Sequence, residues 1–193
     1  MNKQYYISEA KRAASIQINE LKKIKKIFNK SFIKAVDLIL NCKGKIIFAG
    51  IGKSGLIARK ISATFSSVGI PSFFCDPAQA LHGDMGQIEK KDILIIFSYS
   101  GNTSELTNMI KYASRYSIKI IGIASKPDSI LLKASDIKLI LPKVKESDVT
   151  GMVPTSSTSI TLLLGDCLAT TIMRQKKFSK EKCKVYHPGG NIG

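Results

Sequence analysis

Residues 92–105 constrain the fold of this chain more than any other stretch. Residues 92–97 read Asp-Ile-Leu-Ile-Ile-Phe, an unbroken apolar run typical of a central parallel strand that helices cover on both faces. A loop around Gly101 and a helical pattern follow at once. Because a helix N-terminus presents unpaired N–H groups and the positive end of a dipole, this loop predicts a phosphate site. Its hydroxyl residues are Ser98, Ser100, Thr103 and Ser104.

Those hydroxyls have a purely structural alternative, since Ser, Thr and Gly are ordinary cap and turn residues. One cap accounts for one hydroxyl, whereas this loop carries four within seven residues. We therefore favour the phosphate site, with the Gly101 backbone free to approach the ligand closely.

Apolar runs alternate with helical patterns along the rest of the chain. Strands are predicted at 45–50, 71–75, 92–97, 119–124 and 137–141, and a hydroxyl-capped helix at 156–174. This alternation predicts a three-layer αβα sandwich around a doubly wound, five-stranded parallel sheet. A flavodoxin-like order 2-1-3-4-5 places the ligand crevice between the first and third strands. We expect residues 1–193 to form one domain, with an α/β core at 44–193.

The N-terminal residues 1–43 predict a helical segment with a break near 29–31. Its apolar stripe includes Leu21, Ile24, Phe28, Ala35 and Ile39. Such a stripe either packs on a partner subunit or covers the chain's own sheet, and the sequence leaves both open.

The net charge of +16 raises the question of a nucleic-acid partner. Only four of the 30 basic residues are arginine, and the chain has no tryptophan. Since arginine and aromatic stacking dominate nucleic-acid recognition, we expect a solvated lysine surface and no nucleic-acid partner.

Neither the cysteines nor the termini indicate an exported or membrane protein. The four cysteines lack metal-ligand spacing, so we expect reduced core thiols rather than a disulfide or zinc site. With no signal peptide and no apolar run of spanning length, we expect a cytoplasmic protein without membrane association.

Residues 50–55 read Gly-Ile-Gly-Lys-Ser-Gly and match G-x-G-x-x-G, with Asp76 placed to hold a ribose. A nicotinamide dinucleotide is therefore one candidate ligand. A lysine inside the turn and a second hydroxyl loop on the neighbouring strand suit a compact sugar phosphate better.

Four further residues are candidates for acid–base chemistry. His82 and His187, the two histidines of the chain, lie beside glycines in polar loops where an imidazole reaches a ligand. Glu105 opens the helix after the central strand, and Glu146 lies in the long loop 142–155. A loop of that length is usually functional, but residue types alone do not choose between the two carboxylates.

Five motifs carry a resemblance to a known family. They are Gly-Ile-Gly-Lys-Ser-Gly at 50–55, Leu-His-Gly-Asp at 81–84, Ser-Tyr-Ser-Gly-Asn-Thr-Ser-Glu at 98–105, Pro-Thr-Ser-Ser-Thr at 154–158 and His-Pro-Gly-Gly at 187–190. In this order they resemble the sugar isomerase (SIS) domain of the D-arabinose-5-phosphate isomerases. The resemblance implies interconversion of D-ribulose 5-phosphate and D-arabinose 5-phosphate at the entry to Kdo and lipopolysaccharide synthesis.

The same resemblance implies no metal or organic cofactor, and a homotetramer with sites at subunit interfaces. Many members carry two CBS domains after the His-Pro-Gly-Gly motif. Since the sequence stops at Gly193, we expect a single SIS domain without them, either natural or truncated.

The family's catalytic positions correspond to Lys53, His82, Glu105, Glu146 and His187. We expect Glu146 to shuttle the proton, provided desolvation raises its pKa above about 4.3. His82 is expected to open the ring or move the O1 and O2 protons, Lys53 to stabilise the oxyanion, Glu105 to position hydroxyls and His187 to complete the site. Substrate-binding positions are Gly52, Ser54, Ser98, Ser100, Gly101, Thr103, Thr155, Ser156, Ser157 and Thr158.

A non-catalytic SIS module that senses a sugar phosphate is the main alternative. Such a module needs the hydroxyl loops but has no use for Glu146, His82 and His187 together, so we favour the isomerase.

Overall fold

The structure, a computed structural model, describes residues 3–189. Its single sheet contains β1 (Ile46–Gly50), β2 (Ser72–Phe74), β3 (Ile93–Phe97), β4 (Lys119–Ala124) and β5 (Ile137–Ile140). All neighbouring strands pair in parallel, in the order β2-β1-β3-β4-β5. The predicted sheet, its order and its strand positions to within a residue at each end are confirmed.

Eight helices surround the sheet in the described part of the chain. They are α1 (Gln4–Leu21), α2 (Lys30–Leu40), α3 (Gly52–Ser67), α4 (Pro77–Ala80), α5 (Thr107–Arg115), α6 (Ile130–Ala134), α7 (Ser156–Gln175) and α8 (Lys180–Tyr186). Short 3₁₀ helices occur at Lys22–Ile27, Asp84–Gln87 and Ser104–Leu106. Among residues 3–189, no helix combines the length and apolar character that a membrane crossing requires.

The sheet is covered on both faces, as a doubly wound fold requires. One face packs against α2, α3 and α7 through residues such as Phe48, Phe65 and Leu164. The other packs against α5 and α6 through residues such as Leu94 and Met109. Every residue of β3 is buried, which explains its uninterrupted apolar sequence.

A buried carboxylate joins the starts of β1 and β3. Asp92 is 1% exposed, and it accepts hydrogen bonds from the backbone N–H groups of Lys45 at 2.7 Å and Glu89 at 2.8 Å. Both donors lie on loops at the amino edge of the sheet, so Asp92 aligns the two strands whose opposite ends carry the candidate site.

The N-terminal segment breaks where expected, and its two halves differ in burial. Asn29 caps α2 by accepting from the Ser31 N–H at 2.8 Å. Helix α2 buries Ala35 and Ile39 against the chain's own sheet, whereas α1 buries no residue and packs alongside α7. Phe28, expected on the buried stripe, is 43% exposed because it follows the 3₁₀ helix.

Local details differ from the sequence-based expectations in four places. The polar residues 76–87 suggest a loop from sequence, but they contain α4, which Asp76 caps by accepting from Ala78 N–H. The sequence 126–128 suggests a turn that caps the next helix, but α6 is capped by Ser129, and α8 lies in the basic tail. Only Cys75 is fully buried, and the other three cysteines are half-buried, with Cys42 packed against the edge of the core.

Candidate active site

A cavity of ≈ 470 Å³ opens at the carboxyl ends of β1 and β3, between the first turn of α3, the loop 142–155 and the first turns of α7. The predicted site residues that line it are Lys53, Ser54, Glu146, Ser157 and Thr158. Its remaining lining residues are Ile51, Ile57, Tyr99, Val144, Gly151, Met152, Pro154 and Thr161. The structure therefore brings the predicted lysine and one of the two predicted carboxylates to a single cavity.

The first turn of α3 supplies a positively charged wall. Gly52 has φ of +57°, a left-handed conformation that favours glycine. A Cβ on Gly55 would lie 2.6 Å from the Gly50 carbonyl oxygen. Helix α3 therefore approaches the end of β1 this closely only because residue 55 is glycine. Lys53 is exposed, and the structure of residues 3–189 gives it no ion pair. Lysine charge and helix dipole thus attract an anion together.

Glu146 is held at the N-terminus of α7. Its Oε2 accepts from Thr155 N–H at 2.7 Å, Thr155 Oγ1 at 3.0 Å and Ser157 N–H at 3.2 Å. All three of these bonds end on the same oxygen. Oε2 is therefore fixed by the protein, and the Ser157 side chain gives the carboxylate a further hydrogen bond.

The expectation that desolvation would raise the pKa of Glu146 is wrong. Partial burial does favour a higher pKa, but the hydrogen bonds from Ser157 and Thr155 outweigh it, and the pKa lies below its ordinary value. Glu146 is consequently ionised at neutral pH and free to accept a proton, but its lowered pKa makes it a weaker base than the sequence analysis required.

Tyr99 is a lining residue that the sequence analysis did not assign. Its hydroxyl accepts from the Val144 N–H at 3.0 Å and donates to the Pro142 carbonyl at 3.3 Å. Burial raises the pKa of Tyr99, so the phenol stays neutral. Tyr99 thereby ties the loop after β3 to the loop that carries Glu146. A large aromatic residue between two serines at the end of the central strand was the available sequence indication.

The hydroxyls after β3 build the turn itself. Ser98 is 4% exposed, and its Oγ lies 2.8 Å from Thr103 Oγ1 and accepts from the Gly101 N–H. Ser100 Oγ accepts from the Asn102 N–H at 3.3 Å. Gly101 has φ of +70°, and a Cβ there would lie 2.2 Å from Ser129 Oγ. Ser98, Ser100, Gly101 and Thr103 do not line the cavity, and their role as phosphate ligands stays a prediction.

His82 and Glu105 lie at the same edge of the sheet, outside the cavity. His82 is exposed in the turn between α4 and the following 3₁₀ helix. Glu105 is exposed and accepts from Ser104 Oγ at 2.8 Å. Hydrogen bonds from its own backbone N–H and from Ser104 lower the pKa of Glu105. Gly52 lines a second cavity of ≈ 290 Å³ beside Arg59.

His187 lies at the opposite edge. The preceding Tyr186 lines a cavity with Lys45 and Pro71, at the amino ends of β1 and β2. Strand β1 has five residues, so the two edges are about 16 Å apart at ~3.3 Å per residue. The structure does not bring His187 to the cavity of its own chain, and Gly190 of its motif lies outside the described residues. The His187 Nδ1 lies 2.8 Å from the Cys183 carbonyl oxygen.

Thr155 and Ser156 lie where the loop enters α7. Thr155 contacts Glu146, and Ser156 is fully buried with its hydroxyl unpaired within residues 3–189. Together with the lining residues Ser157 and Thr158 they form the predicted hydroxyl cluster.

Comparison with known proteins gives consistent matches. The profile of the family described as the SIS domain matches residues 39–171. An uncharacterized protein of Rickettsia prowazekii is 42% identical over 100% of this chain and 60% of its own length. The arabinose 5-phosphate isomerase KdsD of Escherichia coli K12 is 39% identical over 95% of this chain and 56% of its own length. The chain thus spans a little over half the length of these relatives.

Among solved structures, a protein of Escherichia coli CFT073 in complex with arabinose 5-phosphate superposes with a TM-score of 0.94. It is 32% identical, and the match covers 97% of this chain and 100% of that one.

Proposed function

The chain belongs to the SIS domain family, and on this premise we propose that it is an aldose–ketose isomerase that interconverts D-ribulose 5-phosphate and D-arabinose 5-phosphate without a cofactor. The observation that carries the proposal is the meeting of Lys53 and Glu146 in one hydroxyl-lined cavity at the carboxyl edge. The relative named as an arabinose 5-phosphate isomerase and the similar structure holding arabinose 5-phosphate support this substrate. The product would feed Kdo and lipopolysaccharide synthesis, in the cytoplasm.

The reaction moves one proton between C1 and C2. Glu146 takes a proton from C1 of the ketose, and the electron pair of that C–H bond forms the C1–C2 double bond as the C2 carbonyl becomes an enediolate oxygen. Lys53 stabilises this developing negative charge. Glu146 then returns the proton to C2 while the O1 proton is passed to O2, which leaves the aldehyde at C1.

Oε1 is the oxygen assigned to this proton transfer. Oε2 already accepts three hydrogen bonds, which a proton on that oxygen would disturb. We therefore assign the acceptance of the substrate proton to Oε1. His82 is assigned to ring opening or to the O1 and O2 protons, and Glu105 to hydroxyl positioning. The phosphate is assigned to the α3 N-terminus and the hydroxyls of Ser54, Ser157 and Thr158, with the loop after β3 as a further contact.

His187 is assigned to the site of a neighbouring subunit. Its position at the amino edge of its own chain requires another copy to bring it to a cavity, so we propose a homotetramer with sites at subunit interfaces. When Nδ1 donates to the Cys183 carbonyl, the neutral imidazole presents Nε2 as an acceptor to that neighbour.

NMR of the purified protein with D-ribulose 5-phosphate in deuterated water tests the proposal. Turnover should produce D-arabinose 5-phosphate carrying deuterium at C2, because the abstracted proton exchanges with solvent. Substrate protection against heat without any product would overturn the isomerase and favour the non-catalytic sensing module. Absence of both product and protection would remove the sugar phosphate as ligand.

A further inference from the structure

Side chains of the N-terminal helix hold the backbone on either side of Glu146. Arg12 Nη2 donates to the Ser147 carbonyl at 3.0 Å. Glu20 Oε2 accepts from the Lys145 N–H at 3.1 Å. Although α1 buries no residue of its own, it thus anchors the residues immediately before and after the candidate base.

Gln17 connects this helix to two parts of the site at once. Its Nε2 donates to Ser147 Oγ at 3.3 Å, and its Oε1 accepts from Ser159 Oγ at 3.0 Å. The first contact lies on the loop 142–155 and the second on α7. The side-chain amide therefore fixes the spacing between the loop and the helix that Glu146 caps.

A directional relay of hydrogen bonds runs from Gln17 to the carboxylate. Ser147 Oγ accepts from Gln17 and donates to Thr155 Oγ1 at 3.0 Å, and Thr155 Oγ1 donates to Glu146 Oε2 at 3.0 Å. Each hydroxyl donates once and in the same direction, an arrangement in which successive bonds strengthen one another. Ser147 is 4% exposed, so water does not readily replace it.

We propose that Gln17 and Ser147 are positioning residues for Glu146, acting through this relay from the N-terminal helix. The assignment rests on the proposed isomerase in giving Glu146 the proton transfer. The relay keeps Oε2 occupied and directs the substrate proton to Oε1. It also stabilises the ionised carboxylate, since its last bond, from Thr155 Oγ1, ends on that negative charge.

The electrostatic surroundings of Glu146 come from several elements. Lys53 of α3 and Tyr99 after β3 line the same cavity, and Lys145 and Asp148 flank Glu146 in its own loop. The charged side chains of the N-terminal segment that contact the loop 142–155 are Arg12, Glu20 and Lys23, and Glu9 pairs with Arg12. Removing Gln17 or the Ser147 hydroxyl changes none of these charges, so a change in the titration of Glu146 reports on the relay alone.

The test is the titration of Glu146 in the full chain, followed by carboxyl ¹³C NMR and assigned with Glu146→Gln. Ser147→Ala should raise the pKa of Glu146 by roughly 0.3 unit, because it removes a neutral bond to Thr155 Oγ1 and so weakens, without removing, the Thr155 bond to the carboxylate, while the Ser147 N–H still donates to Thr155. Gln17→Leu, one step further away, should raise it by less. Ser15→Ala, at an exposed position of the same helix, is the matched control and should leave it unchanged.

Kinetics give the second readout. The acidic limb of kcat/KM should move to higher pH by the same amounts, with kcat falling more than KM rises. If Gln17→Leu weakens the packing of α1, the relay is judged from Ser147→Ala alone. An unchanged Glu146 titration in folded Ser147→Ala protein would overturn the relay. The NMR titration does not depend on turnover. If the parent protein were inactive, the proposed isomerase activity would be refuted, and the relay could still be tested by NMR.

Discussion

Replacing Glu146 with glutamine tests the proton-transfer assignment directly. Glutamine keeps an oxygen that can accept from Thr155 and Ser157, so the α7 cap survives in neutral form. Hydrogen bonds to a neutral acceptor are weaker than those to a carboxylate, and the site is open to solvent, so we expect a stability loss of about 1 kcal/mol. The amide cannot accept the C1 proton, and loss of a general base lowers turnover by about 10²- to 10⁴-fold.

The assay is kcat for arabinose 5-phosphate formation, measured beside substrate protection against heat. Glu105→Gln is the comparison variant, because Glu105 is the other candidate carboxylate, is assigned to hydroxyl positioning rather than proton transfer, and lies outside the cavity. We expect Glu146→Gln to lose turnover and keep protection, and Glu105→Gln to retain far more activity. Near-normal turnover in Glu146→Gln would refute the assignment, and collapse of activity in Glu105→Gln alone would transfer the role to Glu105.

The pH dependence of stability follows from the same carboxylate. Because the folded pKa of Glu146 is lowered, its contribution is complete above the unfolded value of about 4.3 and is lost as pH falls through the folded pKa. The parent protein should therefore lose more stability on acidification below that value than Glu146→Gln does, and equal acid losses in urea titrations would contradict the pKa direction.

Three other substitutions probe separate parts of the molecule. Asp92→Ala leaves the buried N–H groups of Lys45 and Glu89 unpaired and should cost about 2–4 kcal/mol by urea denaturation, whereas exposed Asp128→Ala should cost almost nothing; equal losses would contradict the strand-joining role. Lys53→Met should lower kcat about 10²- to 10³-fold by removing the cation that stabilises the developing enediolate charge, and an unchanged kcat would remove Lys53 from that role. Co-refolding inactive His187→Ala with inactive Glu146→Gln should restore part of the activity, because mixed tetramers contain intact shared sites; no recovery from verified mixed tetramers would argue against sharing.

The sheet was predictable because its information is local. Five apolar runs punctuated by glycines and hydroxyls gave all five strands, and the parallel order followed from their alternation with helices. The helix α8 was not found because it buries no residue, so it lacks the apolar periodicity that identifies packed helices.

The site was predictable in part. Lys53 and Glu146 meet because each lies at a helix N-terminus at the carboxyl edge, which topology alone implies. Sequence does not reveal whether a hydroxyl also bonds within its own turn, as Ser98 and Thr103 do with each other, and their role as phosphate ligands stays a prediction. The lowering of the Glu146 pKa could not be predicted from the sequence either, because it depends on hydrogen-bond donors nine and eleven residues away.

The contacts between α1 and the loop bear on how this domain is delimited. The region matched by the family profile begins at residue 39, beyond Arg12, Gln17 and Glu20. A protein trimmed to that shared region would retain the strands and the cavity lining. It would lose the α1 side chains that hold the backbone on either side of Glu146. The relatives nevertheless match 95–100% of this chain, and on our proposal the unit that positions Glu146 begins with α1, upstream of the profile match.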